Sequence, residues 1–320
     1  MFQGALGKGR IVPFGPYAEA ESIPTFAVEP TRLEGIIRPR VTAVALVRLI
    51  GGLAITALGL MPFLDAEFPF DPVAMALCCG LGGLMAAAQL FLWTRRCRIA
   101  IAEGRVRVRQ SHAVFAPLEM DVPWASFSGV ILAQFGEGRR AIRAVLLTHS
   151  DWAKVVPLAW ARSYRDMAAA VGRYAAALRM PALEAGEDLV AYPAAAFDLP
   201  LADKVARRLV VAAAPGVPPA TLAVEFQGGR TVIAFTPRRR LRLEGRRVAF
   251  ETRFFGRWSS RWSVDLASVQ GVQVGQWVGF RKTLPAVTLR TADALRFAGP
   301  CPDAASARWL RTRLVADAAG

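Results

Sequence analysis

The chain has 320 residues, 54% of them hydrophobic, and a formal net charge of +15. Its length accommodates two or three domains. Only four of its 40 bases are lysines (Lys8, Lys154, Lys204, Lys282), so the charge is an arginine bias, and no nucleic-acid recognition motif accompanies it. The four cysteines (Cys78, Cys79, Cys97, Cys301) have neither metal-site nor disulfide-framework spacing.

Met1 to Arg40 is punctuated by glycine and proline (Gly4, Gly7, Gly9, Pro13, Gly15, Pro16) without a sustained period, which predicts a loosely ordered arm. Val41 to Arg96 then reads as two membrane-spanning helices joined by a short turn. Val41 to Leu64 is interrupted only by Arg48, near one end, where a long cation can snorkel to the headgroups. Pro72 to Trp93 carries no charge, and Gln89 is its only strongly polar side chain. A bilayer core of about 30 Å needs roughly 20 apolar residues of helix.

Gly52, Thr56 and Gly59 fall on one face of the first helix, and Ala76, Gly80, Gly83 and Ala87 on one face of the second. Small residues at that spacing predict close helix packing in lipid. Arg32, Arg38, Arg40 and Arg48 precede or open the first span. Arg95, Arg96 and Arg98 follow the second, while the turn from Asp65 to Asp71 carries acids and no base. The positive-inside bias therefore puts both termini in the cytoplasm. The apolar run starts too late for a cleaved signal.

Beyond Arg96 the period changes from helix to strand. Arg98 to Val108 alternates across a Glu103-Gly104 turn, and strand-like runs follow at Met120–Pro123, Ser128–Ala133, Ala141–Thr148 and Ala153–Pro157. Ser163 and Asp166 then form a capping-box-like start to a helix with a Tyr164, Met167, Val171, Tyr174 stripe, stopped by Pro181. The stretch from 182 to 220 is Ala- and Pro-rich and reads as a linker, with one amphipathic helix expected from Asp203 to Ala213. Gly228-Gly229 marks another hairpin. From Arg240 the pattern repeats at a constant offset. Val122, Ala125, Ser126 and Gly129 match Val264, Ala267, Ser268 and Gly271, and Ala144, Val145 and Leu147 match Ala286, Val287 and Leu289. Both copies end in a helix, which predicts a duplication.

Each copy resembles a membrane-associated bacterial pleckstrin-homology-like (PH-like) domain. The residues that carry the resemblance are the Glu-Gly-Arg hairpin turn, the segment Val264 to Val272, the strand Ala286 to Leu289 and the terminal helix. In that family a transmembrane hairpin often leads directly into such a domain. The resemblance implies two strongly bent antiparallel sheets, each capped by its C-terminal helix, over roughly 97–181 and 221–320. The whole is expected to be an α+β membrane protein of the bacterial inner membrane. It implies a binding platform for peptides, proteins or lipid rather than an enzyme.

No residue pattern points to catalysis. His149-Ser150-Asp151 has the vocabulary of a triad, but adjacent residues in a turn cannot converge as a triad requires. His112 stands alone. Gly80-Leu81-Gly82-Gly83 lies within an apolar helix, where packing explains it. No cofactor or metal is expected. The concentrated feature is basic: Arg230, Arg238, Arg239, Arg240, Arg242, Arg246, Arg247, Arg253, Arg257 and Arg261, interleaved with Phe254, Phe255, Trp258 and Trp262. A solvated face, a surface for anionic lipid, and a site for an acidic partner all fit it. Strand alternation puts Arg240 and Arg242 on one face and Leu241 and Leu243 on the other. The expected function is a non-catalytic adaptor or assembly protein that presents its binding domains to a protein partner or to the anionic leaflet. The alternative is an accessory subunit of a larger membrane transporter or energy-converting complex.

Overall fold

The computed structural model describes residues 26–37, 43–64, 71–94, 96–111, 117–135, 142–151, 154–161, 163–185, 189–278 and 283–320. Of the predicted arm over 1–40, residues 1–25 and 38–40, including the flanking Arg38 and Arg40, lie outside them, as do Arg95, the turn residues 65–70 and His112. The described residues divide into two compact units, one ending at Ala125 and the other running from Ser126 to Gly320.

In the first unit β1 (Phe26–Ala27) and β2 (Glu34–Ile37) precede helices α1 (Ala43–Leu64) and α2 (Pro72–Thr94). Then come β3 (Arg96–Ala102), β4 (Arg105–Ser111) and β5 (Leu118–Pro123). Strands β2-β3-β4-β5 form one antiparallel sheet in that order. Alternation sorts its faces: Ile99, Ile101, Val106, Val108 and Val122 are buried. The opposite face carries cross-strand ion pairs, Arg105–Asp121 at 2.6 Å and Arg109–Glu119 at 3.1 Å. Helix α2 begins where Asp71 caps it: its Oδ1 accepts the Val73 N–H at 2.9 Å, and Pro72 occupies the first helical position.

The second unit opens with β6 (Phe127–Phe135), β7 (Ile142–His149), β8 (Val156–Ala161) and helix α3 (Tyr164–Ala177). The stretch expected to be a linker supplies the unexpected strands β9 (Ala182–Ala185) and β10 (Leu189–Tyr192), and where a helix was expected over Asp203–Ala213 it forms the short helix α4 (Leu201–Ala206). Within this unit the strand order is β8-β7-β6-β9-β10, with β9 parallel to β6. A meander follows, β11 (Ala223–Gln227), β12 (Arg230–Thr236), β13 (Arg239–Glu244), β14 (Arg247–Phe254) and β15 (Arg257–Asp265). A three-stranded sheet, β16 (Gly271–Val278), β17 (Thr283–Arg290) and β18 (Leu295–Pro300), precedes helix α5 (Ala304–Ala319). Asp303 caps α5, its Oδ1 accepting the Ser306 N–H at 2.7 Å.

The expected fold, a two-helix transmembrane hairpin leading into two bent PH-like sheets each capped by a helix, is therefore corrected. The chain is mostly β, in four sheets, with five α-helices among the described residues. Two physical causes stand out. First, strand pairing changes partners at the 3-10 turns Trp124–Ser126 and Leu266–Ser268, so each run of strands divides between two sheets, and the expected linker adds strands of its own. Second, among the described residues only α2 has a segment long and apolar enough to cross a membrane, Pro72–Leu90. The apolar part of α1 is Leu46–Met61, which at about 1.5 Å per residue reaches about 24 Å. Arg48 curtails it.

Candidate functional site

The arginine-rich segment forms the strands β12 to β15 and the turns between them. Leu241 and Leu243 are 0% and 3% exposed, and the alternate residues Arg240 and Arg242 lie on the other face. There Glu251, itself buried, is gripped from two sides, by Arg240 Nε at 2.7 Å and Arg242 Nε at 3.0 Å. Glu244 accepts from Arg230 Nε at 2.6 Å and from Arg242 Nη1 at 3.1 Å. The Arg240 guanidinium also stacks over Trp258, 4.0 Å from the ring centre. These three arginines share two carboxylates, so most of their charge is compensated in place.

The others are not. Arg247 donates to the Ser263 hydroxyl, Arg261 to the Thr252 hydroxyl, and Arg253 to the Gly256 carbonyl. Arg238, Arg239, Arg246 and Arg257 are exposed and make no ion pair among the described residues. One segment of sequence thus holds three arginines paired with carboxylates and seven that make no ion pair among the described residues.

The second unit also contains a buried ionic cluster that sequence reasoning missed. Arg290 is 0% exposed. Its Nε donates to Glu184 Oε1 at 3.0 Å and its Nη1 to Asp198 and Gln270, while Nη2 reaches the carbonyls of Phe197 and Gln270. Lys204 is equally buried, and its Nζ donates to those same two carbonyls at 2.6 and 2.7 Å. The Phe197 ring lies 3.9 Å from the Arg290 guanidinium carbon and 5.6 Å from Lys204 Nζ. Tyr192 donates to the second oxygen of Glu184 at 3.1 Å.

Electrostatics follow from this geometry. Burial pushes the Lys204 ammonium down to about 8, with Glu184 opposing the shift. Burial alone would raise the Glu184 carboxyl; Arg290 and then Lys204 outweigh it and hold the group below its ordinary value. Gly271 completes the site, since a Cβ there would overlap the Glu184 carboxylate. The cluster fastens β9, the turn at Phe197 and helix α4 to β16 and β17. No sequence signal marks it: Glu184 and Arg290 are 106 positions apart, and each reads as an isolated charge.

In the first unit the close approach of α1 and α2 centres on Gly52 and Gly82. A Cβ on Gly52 would stand 2.9 Å from the Gly82 carbonyl, and one on Gly82 2.6 Å from the Gly52 carbonyl and from Thr56 Oγ1. Gly59 faces Cys78 and Cys79. Gly52, Thr56 and Gly59 therefore face α2. The face assigned to α2 is corrected: Gly80 and Gly83 meet open space, and Ala76 and Ala87 are exposed. The apposed row is Cys79, Gly82, Ala86 and Gln89, rotated by about 100° because one residue of offset turns a helix by that angle.

His149 spends its Nδ1 on the backbone N–H of Asp151, at 2.9 Å, and packs edge-on against Phe127, so its neighbours form a turn. Among the described residues no group of His, Cys, Asp and Glu could hold a metal ion. Comparison with protein families, with curated proteins and with solved structures finds no match for this chain.

Proposed function

We propose that the chain is a non-catalytic, membrane-associated adaptor, with α2 as the element that enters the bilayer and the β-sheets as its binding surfaces. The observation that carries this reading is the sorting of side chains around α1 and α2. Leu46, Val47, Ile50 and Leu53 on α1, and Val73, Leu77, Leu81 and Leu84 on α2, are exposed, while glycines occupy the space between the helices. Water penalises that arrangement, at about 25 cal/mol for each Å² of apolar surface. Lipid does not, and there close backbone packing supplies the attraction. Patches of this kind mark membrane or partner contacts.

The test is extraction. Membranes from cells making the full chain are washed with alkaline carbonate and then with detergent. Retention through carbonate and release by detergent is the expected result; release by carbonate overturns the reading.

A second reading, an accessory subunit of a larger membrane complex, is favoured by the row Ala76, Gly80, Gly83 and Ala87, which faces outward with open space beside its glycines. A further helix could approach closely there. Gly83→Leu would then abolish co-purification of a partner; an unchanged set of co-purifying proteins would count against it.

A further inference from the structure

The bare end of the arginine-rich sheet carries a second feature. The β14–β15 turn is Phe254-Phe255-Gly256, and its two phenylalanines are 68% and 91% exposed, edge to face with ring centres 4.4 Å apart. Arg253 and Arg257 flank them, and the Arg253 N–H bonds the Arg238 carbonyl at 2.9 Å, which brings the neighbouring β12–β13 turn alongside. Arg238, Arg239, Arg253 and Arg257 are all exposed at this end, and none pairs with a carboxylate among the described residues. Of the carboxylates in the sheet, Glu244 and Glu251 are taken up by Arg230, Arg240 and Arg242, Glu225 accepts from the Gln227 side chain, and Asp265 accepts the Ala267 N–H.

The turn itself is unfavourable for the residue it holds. Phe255 has φ 45° and Gly256 φ 79°. Two successive positive φ values make a turn that Asn-Gly fits best. A bulky aromatic there is an outlier. Backbone strain and solvent exposure both oppose Phe255 at this position, so neither folding nor solubility accounts for it.

We propose that this tip is a wedge for anionic lipid. Phe254 and Phe255 enter the boundary between headgroups and acyl chains, while Arg238, Arg239, Arg253 and Arg257 meet the negative headgroups around them. Aromatic rings suit that boundary. A cluster of uncompensated arginines selects an anionic surface over a neutral one. The inference deepens the membrane-associated reading and rests on it for the presence of lipid.

The test uses the full chain carrying Phe254→Cys with an environment-sensitive fluorophore, reconstituted with vesicles of phosphatidylcholine alone or mixed with phosphatidylglycerol. A parallel labelling of the unmutated chain reports background from the native cysteines. The expected result is a blue shift with quenching by acyl-brominated lipid, in the phosphatidylglycerol vesicles only and reversed by salt. Arg253→Glu with Arg257→Glu should weaken it by about five-fold or more per arginine.

Phe255→Asn is the sharper variant, because it should stabilise the turn while lowering tip insertion by roughly ten-fold. A merely structural Phe255 would give the opposite result, a lower melting temperature with unchanged quenching, and would overturn the proposal. So would an unquenched probe in vesicles that retain the protein, which leaves the anchoring by α2 intact. Tip quenching with phosphatidylglycerol but no retention on neutral vesicles supports the wedge and overturns the anchor. A probe that responds to polyglutamate and not to lipid replaces the lipid with an acidic protein partner and overturns the wedge.

Discussion

Between α1 and α2 the enclosed residues are small or polar, Gly52, Gly59, Gly82, Ala86 and Gln89, and the leucines point outward. In the second unit the order is reversed: Leu158, Trp160, Val171 and Tyr174 are enclosed, and most arginines lie outside. The two regions draw on the same apolar residue types, so composition does not separate them. What differs is the medium each outer surface suits. A water-facing body gains by enclosing its largest apolar groups; under the proposed membrane reading, helices in lipid gain nothing by hiding leucine and hold together through close backbone contact.

The largest expected effect lies where the second unit breaks its own rule. Arg290 and Lys204 are fully buried cations, and Glu184 is the only buried anion beside them, with Asp198 half exposed. Glu184→Gln leaves both cations enclosed without it. Removing one member of a buried charge set costs about 3–5 kcal/mol. Urea denaturation of the full chain should show a loss of that size in the second unit. A loss below about 1 kcal/mol would mean that the cluster relaxes or takes in water, and the contrast between the two regions would soften.

The next effect is a pH dependence. The folded-state value of Lys204, about 8, lies below the ordinary lysine value of 10.5. Between these the unfolded chain binds more protons, so stability rises with pH. Tyr164 and Tyr192 are both raised, Tyr192 by burial and then by Glu184, so above pH 10 the folded chain holds protons the unfolded chain has lost and stability falls again. Arg290, held above its ordinary value, and Glu184, held below its own, keep their charge throughout the window. The melting temperature should climb from pH 8 to about 10, worth about 2 kcal/mol, and then drop. Lys204→Met should flatten the climb at little cost, because Arg290 still donates to the carbonyls of Phe197 and Gln270. Acid works in the other direction: Glu184 is held low, so its contribution is present above the ordinary carboxylate value and lost as pH falls through the depressed one.

These features were unequally legible in the sequence. Alternation identified strands well, and Arg240 and Arg242 against Leu241 and Leu243 is its plainest case. It could not say which strands pair, because pairing depends on the turns at Trp124–Ser126 and Leu266–Ser268, where the chain changes sheets. The constant offset between Val122 and Val264 does correspond to a repeated order of strands, 3-10 turn and helix, from β3 to α3 and from β13 to α5. The compact units nevertheless divide at Ala125, inside the first copy. The buried cluster was invisible because a lone Glu or Lys looks alike whether solvated or enclosed. The Ala-rich stretch that carries Glu184, Tyr192 and Lys204 has no period to announce β9 or β10.

Helix α2 offers the finest version of the comparison. Its composition is nearly uniform, so it has no polar stripe to contrast with an apolar one, and two rows of small residues compete for the interface. The row Gly80 and Gly83 was the natural choice from spacing alone; the row through Gly82 is the one that faces α1. A pair of leucine substitutions separates them. Gly82→Leu must displace the Gly52 carbonyl and Thr56, which are backbone and a β-branched side chain with little room to yield. Gly80→Leu projects into open space. Disulfide formation between Thr56→Cys and the native Cys79, which lies within reach of the Thr56 carbonyl at 3.9 Å, reports the pair directly. It should fail with Gly82→Leu and persist with Gly80→Leu. Neither change should move the urea midpoint of the second unit by more than about 0.5 kcal/mol, since the sites share no partner. If Gly80→Leu also abolished the cross-link, the outward row would be enclosed after all, and α2 would carry small-residue contacts on two sides.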